Sequence, residues 1–110
     1  MTDDIWQVFN LADLIDKVAG NEPRFHEFLR VPALSCAVYR LPAGAKDMQA
    51  PHLEDEVYVV LEGQACLRID DKNHQIKRGS ILYVRATAKH SFFDIEEDLT
   101  VLAVFGAQTP

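Results

Sequence analysis

The sequence predicts an all-β chain, an antiparallel sandwich or barrel preceded by one short helix. Three observations predict it. Beyond Pro23 the chain is cut into short runs rich in Val, Ile, Leu, Tyr and Phe: Phe25–Leu29, Leu34–Leu41, Val57–Leu61, Ala65–Ile69, Ile76, Ile81–Val84, His90–Ile95 and Leu99–Phe105. Turn signals separate these runs at a spacing of roughly 8–12 residues. Helical periodicity is confined to one segment near the N-terminus.

That segment starts at Asn10, whose side chain can cap a helix. Leu11, Leu14, Ile15 and Val18 then fall at i, i+3, i+4 and i+7, and Gly20 is placed to end it. Pro42-Ala-Gly44, Glu62-Gly63, Asp70 to Asn73, Arg78-Gly79 and Glu96-Glu-Asp98 are the turns of the later region. The polar stretch from Asp70 to Asn73, between Leu67/Ile69 and Ile76, reads as a hairpin. No repeat or linker interrupts the chain. One domain is expected over 1–110, with an N-terminal strand or helix within 5–20 and the barrel over about 24–106.

Composition narrows the function classes. Of 110 residues, 48% are hydrophobic and 25% charged, which is enough apolar material for one core. Eleven Lys and Arg against 17 Asp and Glu leave a net charge of −6, so phosphate backbones are repelled and no nucleic-acid partner is expected. The longest mainly apolar run, Leu99 to Ala107, is far short of the ~20 residues that span a bilayer, so no membrane partner is expected either. Asp3 and Asp4 stand where an export signal would carry basic residues. Cys36 and Cys66 form no C-x-x-C pair and are expected to be reduced and packed in the core, which fits a cytoplasmic protein. An open sheet has edges to cover, and Ile5 to Phe9, with Trp6, is suited to covering one in a neighbour; a homodimer is the expectation.

The chemistry concentrates between Gly44 and Asp94. His52 and Glu56 are four apart, an even offset that points both to one face of extended backbone. Tyr58 and Val60 continue that face. His90 follows the run Ile81–Val84 and a polar turn, and can join them if the strands fold back. Buried charge is costly unless paired or bound to metal. Two imidazoles and a carboxylate suit Zn, Fe, Mn, Ni or Cu far better than Ca. A metal-free, hydrogen-bonded trio is the alternative. Tyr58 is either a pocket donor or general acid, or an aromatic that packs with its hydroxyl satisfied. Phe92 is expected to form an apolar wall and Phe93 to serve the opposite core face. Glu54, Asp55, Glu62, Asp70, Asp71 and the Glu96-Glu97-Asp98 cluster read as solvated turn charges, and neither His26 nor His74 reads as a ligand.

These stretches resemble the paired motifs of the cupin superfamily, small double-stranded β-helix (jelly-roll) proteins. In the first motif, G-x5-H-x-H-x3,4-E-x6-G, Gly44, His52, Glu56 and Gly63 fall at the family spacing, and Ala50 replaces the first His. In the second, G-x5-P-x-G-x2-H-x3-N, Gly79 and His90 match, while Arg85, Thr87 and Asp94 stand where Pro, Gly and Asn are usual. The resemblance spans about residues 40–105. It implies an antiparallel jelly-roll barrel and one divalent transition metal held by His52, Glu56 and His90, a two-His-one-carboxylate set with open positions. Gln49, next to the replaced ligand, is at an odd offset from His52 and faces outward unless Pro51 introduces a bulge. The implied function is a metal-dependent enzyme, an oxygenase, isomerase or decarboxylase acting on a small oxygen-bearing molecule. The alternative is a non-catalytic module that binds or senses a small ligand, with an empty site.

Overall fold

The computed structural model describes residues 5–47 and 53–107. It contains one helix, α1 (Leu11–Lys17), and six strands: β1 (Arg24–Val31), β2 (Leu34–Leu41), β3 (Glu56–Ile69), β4 (Lys72–Lys77), β5 (Ile81–Val84) and β6 (His90–Gly106). All pairings are antiparallel, in the order β1-β2-β6-β3-β4, and β5 pairs with β3. The all-β antiparallel fold with a short N-terminal helix is as the sequence predicts.

Two pairs of expected strands are continuous. Val57–Leu61 and Ala65–Ile69 both belong to β3, and His90–Ile95 and Leu99–Phe105 both belong to β6. The ladder between β3 and β6 slips at Val60/Glu62, Glu62/Gln64 and Gln64/Cys66, so both strands bend there without breaking. Gly63 occupies the bend at φ +96°, where an added Cβ would overlap the Asp98 carbonyl oxygen and lie 2.8 Å from the Leu99 Cα. The slip also switches the inward face, from Glu56, Tyr58 and Val60 to Ala65 and Leu67. Because each strand serves both halves of the barrel, β3 lies between β5 and the end of β6 in one half, and between β4 and the start of β6 in the other.

The interior is filled by Leu41, Tyr58, Val60, Leu67, Ile76, Phe92, Leu99, Val101 and their neighbours. The Tyr58 and Phe92 rings meet edge to face at 5.1 Å. The helix is capped by Asn10, whose Oδ1 accepts from the Ala12 N–H at 3.0 Å. It packs outside the barrel, where Leu14 and Val18 bury against Val38, flanked by Phe28 and Leu102.

Several turn and packing expectations need correction. Asp98 is not simply solvated: its two oxygens accept from Ala43 N–H at 2.8 Å and Arg40 Nη2 at 3.0 Å. Those donors, the Ala43 amide first, hold its carboxyl below the usual range despite the opposing effect of burial. Cys36 and Cys66 are free but only half-buried, and alternation with inward Ala37 and Leu67 turns both to the outer face. Phe93 is also half-buried, with the Arg68 guanidinium 4.9 Å above its ring, rather than part of a core face.

Candidate metal centre

Glu56 is the first residue of β3 and projects inward, 2% exposed, between the register partners Phe105 and Val84. Tyr58 follows on the same face and is fully buried. His90 opens β6, paired in register with Ile69 at the far end of β3, yet its side chain reaches across the barrel to both. The Nε2 atom of His90 lies 2.8 Å from Glu56 Oε1 and 3.1 Å from the Tyr58 hydroxyl. The expected fold-back thus unites Glu56, Tyr58 and His90. His52, Gln49 and the replaced position Ala50 lie outside the described residues.

The other ring nitrogen of His90 is 3.0 Å from the Ala88 carbonyl oxygen. A carbonyl can only accept, so Nδ1 carries the proton and Nε2 is the atom presented to the interior. Metal-bound histidines are typically oriented by such a second hydrogen bond. Burial works against the imidazolium, but the short contact to Glu56, the hydrogen bond to the Ala88 carbonyl and the charges of Glu56 and Asp47 outweigh it. The His90 pKa is therefore raised.

Glu56 is the unusual group. Both of its oxygens are buried without a hydrogen bond among the described residues. The Nε2 contact is short, but it is an ion-pair distance rather than an aligned bond. A buried carboxylate without donors is costly and calls for a cation. Among the described residues no group of three His, Cys, Asp or Glu side chains converges.

Two aspartates flank this segment: Asp47, which the sequence reading passed over, and Asp55, which it read as a solvated charge and which is instead hydrogen-bonded. Asp47 accepts from the Tyr39 hydroxyl at 2.9 Å through Oδ1 and from the Phe92 N–H at 2.8 Å through Oδ2. Burial and the nearby Asp47 charge push the Tyr39 phenol well above its ordinary pKa. Asp55 Oδ1 accepts from the Ala86 N–H at 2.7 Å, and its carbonyl accepts from Gly106 at 2.8 Å. An aspartate in a polar stretch looks the same in sequence whether solvated or clamped, so no signal marked either one.

The turn ahead of His90 keeps its aim despite its unusual residues. Thr87, at the family's glycine position, has φ +66°, and Asp94, at the asparagine position, has φ +47°. Asparagine and aspartate tolerate this left-handed region; threonine does so at a cost. Arg85 is exposed, and its carbonyl accepts from Ala88 at 3.1 Å to close the turn.

Beside Glu56 the register runs through the buried Phe105 and Ser35 to the exposed Arg30. A cavity of about 250 Å³ opens there, lined by Phe25, Glu27, Arg30, Ser35, Glu54 and Phe105.

The family model for the cupin domain matches residues 37–105, more than half of the chain. This chain is a cupin. It is 41% identical over 99 residues to an uncharacterised protein of Streptomyces coelicolor, covering 90% of this chain and 94% of that one. Among solved structures it is similar to a Thermus thermophilus protein, with a TM-score of 0.79 at 18% identity over 94% of this chain and 100% of the other. It is also similar to a Methanocaldococcus jannaschii cupin with a double-stranded β-helix fold, with a TM-score of 0.74 at 15% identity over 98% and 94% of the two chains. At these identities the structural likenesses show the fold, and the cupin barrel is thereby the double-stranded β-helix that the motifs implied. No described helix of this cupin is long and apolar enough to cross a membrane.

Proposed function

We propose that this cupin binds one divalent transition metal ion through His52, Glu56 and His90, and uses it to transform a small oxygen-bearing organic molecule. The observation that carries the reading is the Glu56 carboxylate, buried without a hydrogen bond and 2.8 Å from His90 Nε2. The ion, when bound, supplies Lewis acidity or, if it is iron, reactivity toward dioxygen.

The chain's own residues do the rest. The Ala88 carbonyl fixes the His90 tautomer so that Nε2 offers its lone pair inward. Tyr58 holds an O–H within 3.1 Å of Nε2, the nearest proton donor to the two buried ligands among the described residues. Phe92 packs beside Tyr58 and helps to exclude water. A cavity lined by Phe105, the register partner of Glu56, combines the aromatic surfaces of Phe25 and Phe105 with the polar groups of Ser35, Glu54 and the Glu27–Arg30 pair. Such a lining suits a small, polar, oxygen-bearing ligand. The two free cysteines are compatible with a cytoplasmic setting.

The same 2.8 Å contact favours a second reading. An imidazolium at His90 neutralises Glu56 without metal, so a non-catalytic ligand-binding cupin is also self-consistent. Elemental analysis of protein purified without chelator or affinity tag separates them. About one equivalent of a transition metal per chain supports the first reading. Metal-free protein that gains none on incubation with Zn²⁺, Mn²⁺, Fe²⁺, Ni²⁺ or Cu²⁺ supports the second.

A further inference from the structure

The cavity lined by Phe105 contains two polar groups that the fold leaves unanswered. Ser35 in β2 is the register partner of both Arg30 and Phe105 and is only 9% exposed. Its hydroxyl borders the cavity and has no hydrogen-bond partner among the described residues. A hydroxyl buried to that degree is ordinarily paired. Glu54, half-buried in the same lining, makes no hydrogen bond and no ion pair among the described residues. A smaller cavity of about 130 Å³ also has Arg30, Ser35 and Glu54 in its lining, so the three are shared between two hollows. Arg30 does not answer Glu54. Its guanidinium is held by Glu27, with Nη2 2.6 Å from Oε1 and Nε 3.2 Å from Oε2. Glu27 is the main influence on the Arg30 charge and Glu54 the least. With Glu27 and Arg30 cancelling, the lining keeps one uncompensated negative charge, that of Glu54. Phe25 and Phe105 complete it, their ring centroids 6.4 Å apart and their planes tilted by 56°. Aromatic faces attract cations.

We propose that this cavity binds a small organic ammonium, a molecule with a protonated primary amine and a compact apolar body. An ammonium group offers three donors and no acceptor. It matches the Glu54 carboxylate and the Ser35 oxygen, which both accept, while the apolar body packs on Phe25 and Phe105. An anionic ligand would have to displace Glu27 from Arg30 and face Glu54 as well. A neutral one leaves the Glu54 charge unmatched. The net charge of −6 favours the approach of a cation for the same reason. This assignment deepens the function proposed above and rests on it in one respect, that this cavity takes the organic molecule, which then bears an amine besides its oxygen. Neither Glu56 nor His90 belongs to the lining, so the binding itself requires no metal.

Titration of the isotope-labelled, chelator-treated full chain with benzylammonium, benzyl alcohol and benzoate, followed by NMR, tests this with three probes of similar shape and different charge. Benzylammonium should shift the resonances of Ser35 and its neighbours and bind about tenfold or more tightly than benzyl alcohol, with benzoate the weakest. Glu54→Gln should remove most of that preference. Phe25→Leu keeps an apolar wall but no aromatic face, and should weaken benzylammonium more than benzyl alcohol, so the proposal stays testable if one variant fails to fold. Benzoate bound as tightly as benzylammonium, an unchanged preference in folded Glu54→Gln, or no shifts with benzylammonium at millimolar concentration overturns it. Metal content is measured separately on untreated protein. A chain devoid of metal that still prefers benzylammonium supports this proposal and contradicts only the metal reading; a metal-loaded chain without the preference contradicts only this proposal.

Discussion

At Thr87 a β-branched residue holds a left-handed backbone that costs an L-residue roughly 1–2 kcal/mol. Thr87→Gly relieves that strain but adds chain entropy to the unfolded state, so a net gain of about 1 kcal/mol or slightly less is expected in urea titrations. Gly63 is the opposite case. Its positive φ and the Asp98 backbone against it leave no room for a Cβ, and Gly63→Ala should cost at least about 2 kcal/mol in the same measurement. His90 makes a prediction about pH. Its pKa is raised in the folded state, so in metal-free protein its contribution to stability is fully present below the unfolded value of ~6.5. That contribution is lost as pH rises through the folded value. Urea midpoints of chelator-treated wild type should therefore carry a falling component above neutrality that His90→Gln lacks. Bound metal reverses the sign, since a ligating imidazole must be neutral and metal-induced stabilisation grows with pH.

Among the elements, the segment carrying His52 is tied at its two described ends by Asp47 and Asp55. Asp47→Ala leaves the buried Phe92 N–H without its acceptor and is expected to cost about 1–3 kcal/mol. It should also lower the Tyr39 pKa toward its ordinary value, though not fully, because burial is the larger cause. An ultraviolet pH titration reads that change. These clamps were invisible in the sequence because the carboxylates' partners here, the Tyr39 hydroxyl and the backbone amides of Phe92 and Ala86, lie on distant elements and leave no residue pattern. The strands themselves were legible from their apolar runs. Their continuity was not, since Gly63 and the acidic residues near Asp98 signal a turn equally well when a strand merely bends. Asp94 and Thr87 could be placed in the motif, but their left-handed backbone became evident only from the dihedral angles.

For the molecule as a whole, strand spacing and motif order sufficed to read the barrel and the pairing of Glu56 with His90. Parity along one strand predicts which side chains share a face, and two motifs in order predict that the chain folds back. What lay beyond reach was everything set by contacts between distant elements: the orphaned oxygens of Glu56 and the Ala88 carbonyl behind His90. The central claim is that the buried carboxylate is built to meet a cation. Calorimetric titration of Zn²⁺ or Mn²⁺ into chelator-treated wild type and Glu56→Gln tests it most directly, the amide keeping the shape of the side chain and removing its charge. One ion per wild-type chain, bound at least about tenfold more weakly by Glu56→Gln, is the predicted result. Equal affinity in the two proteins, or no binding to either, would contradict it.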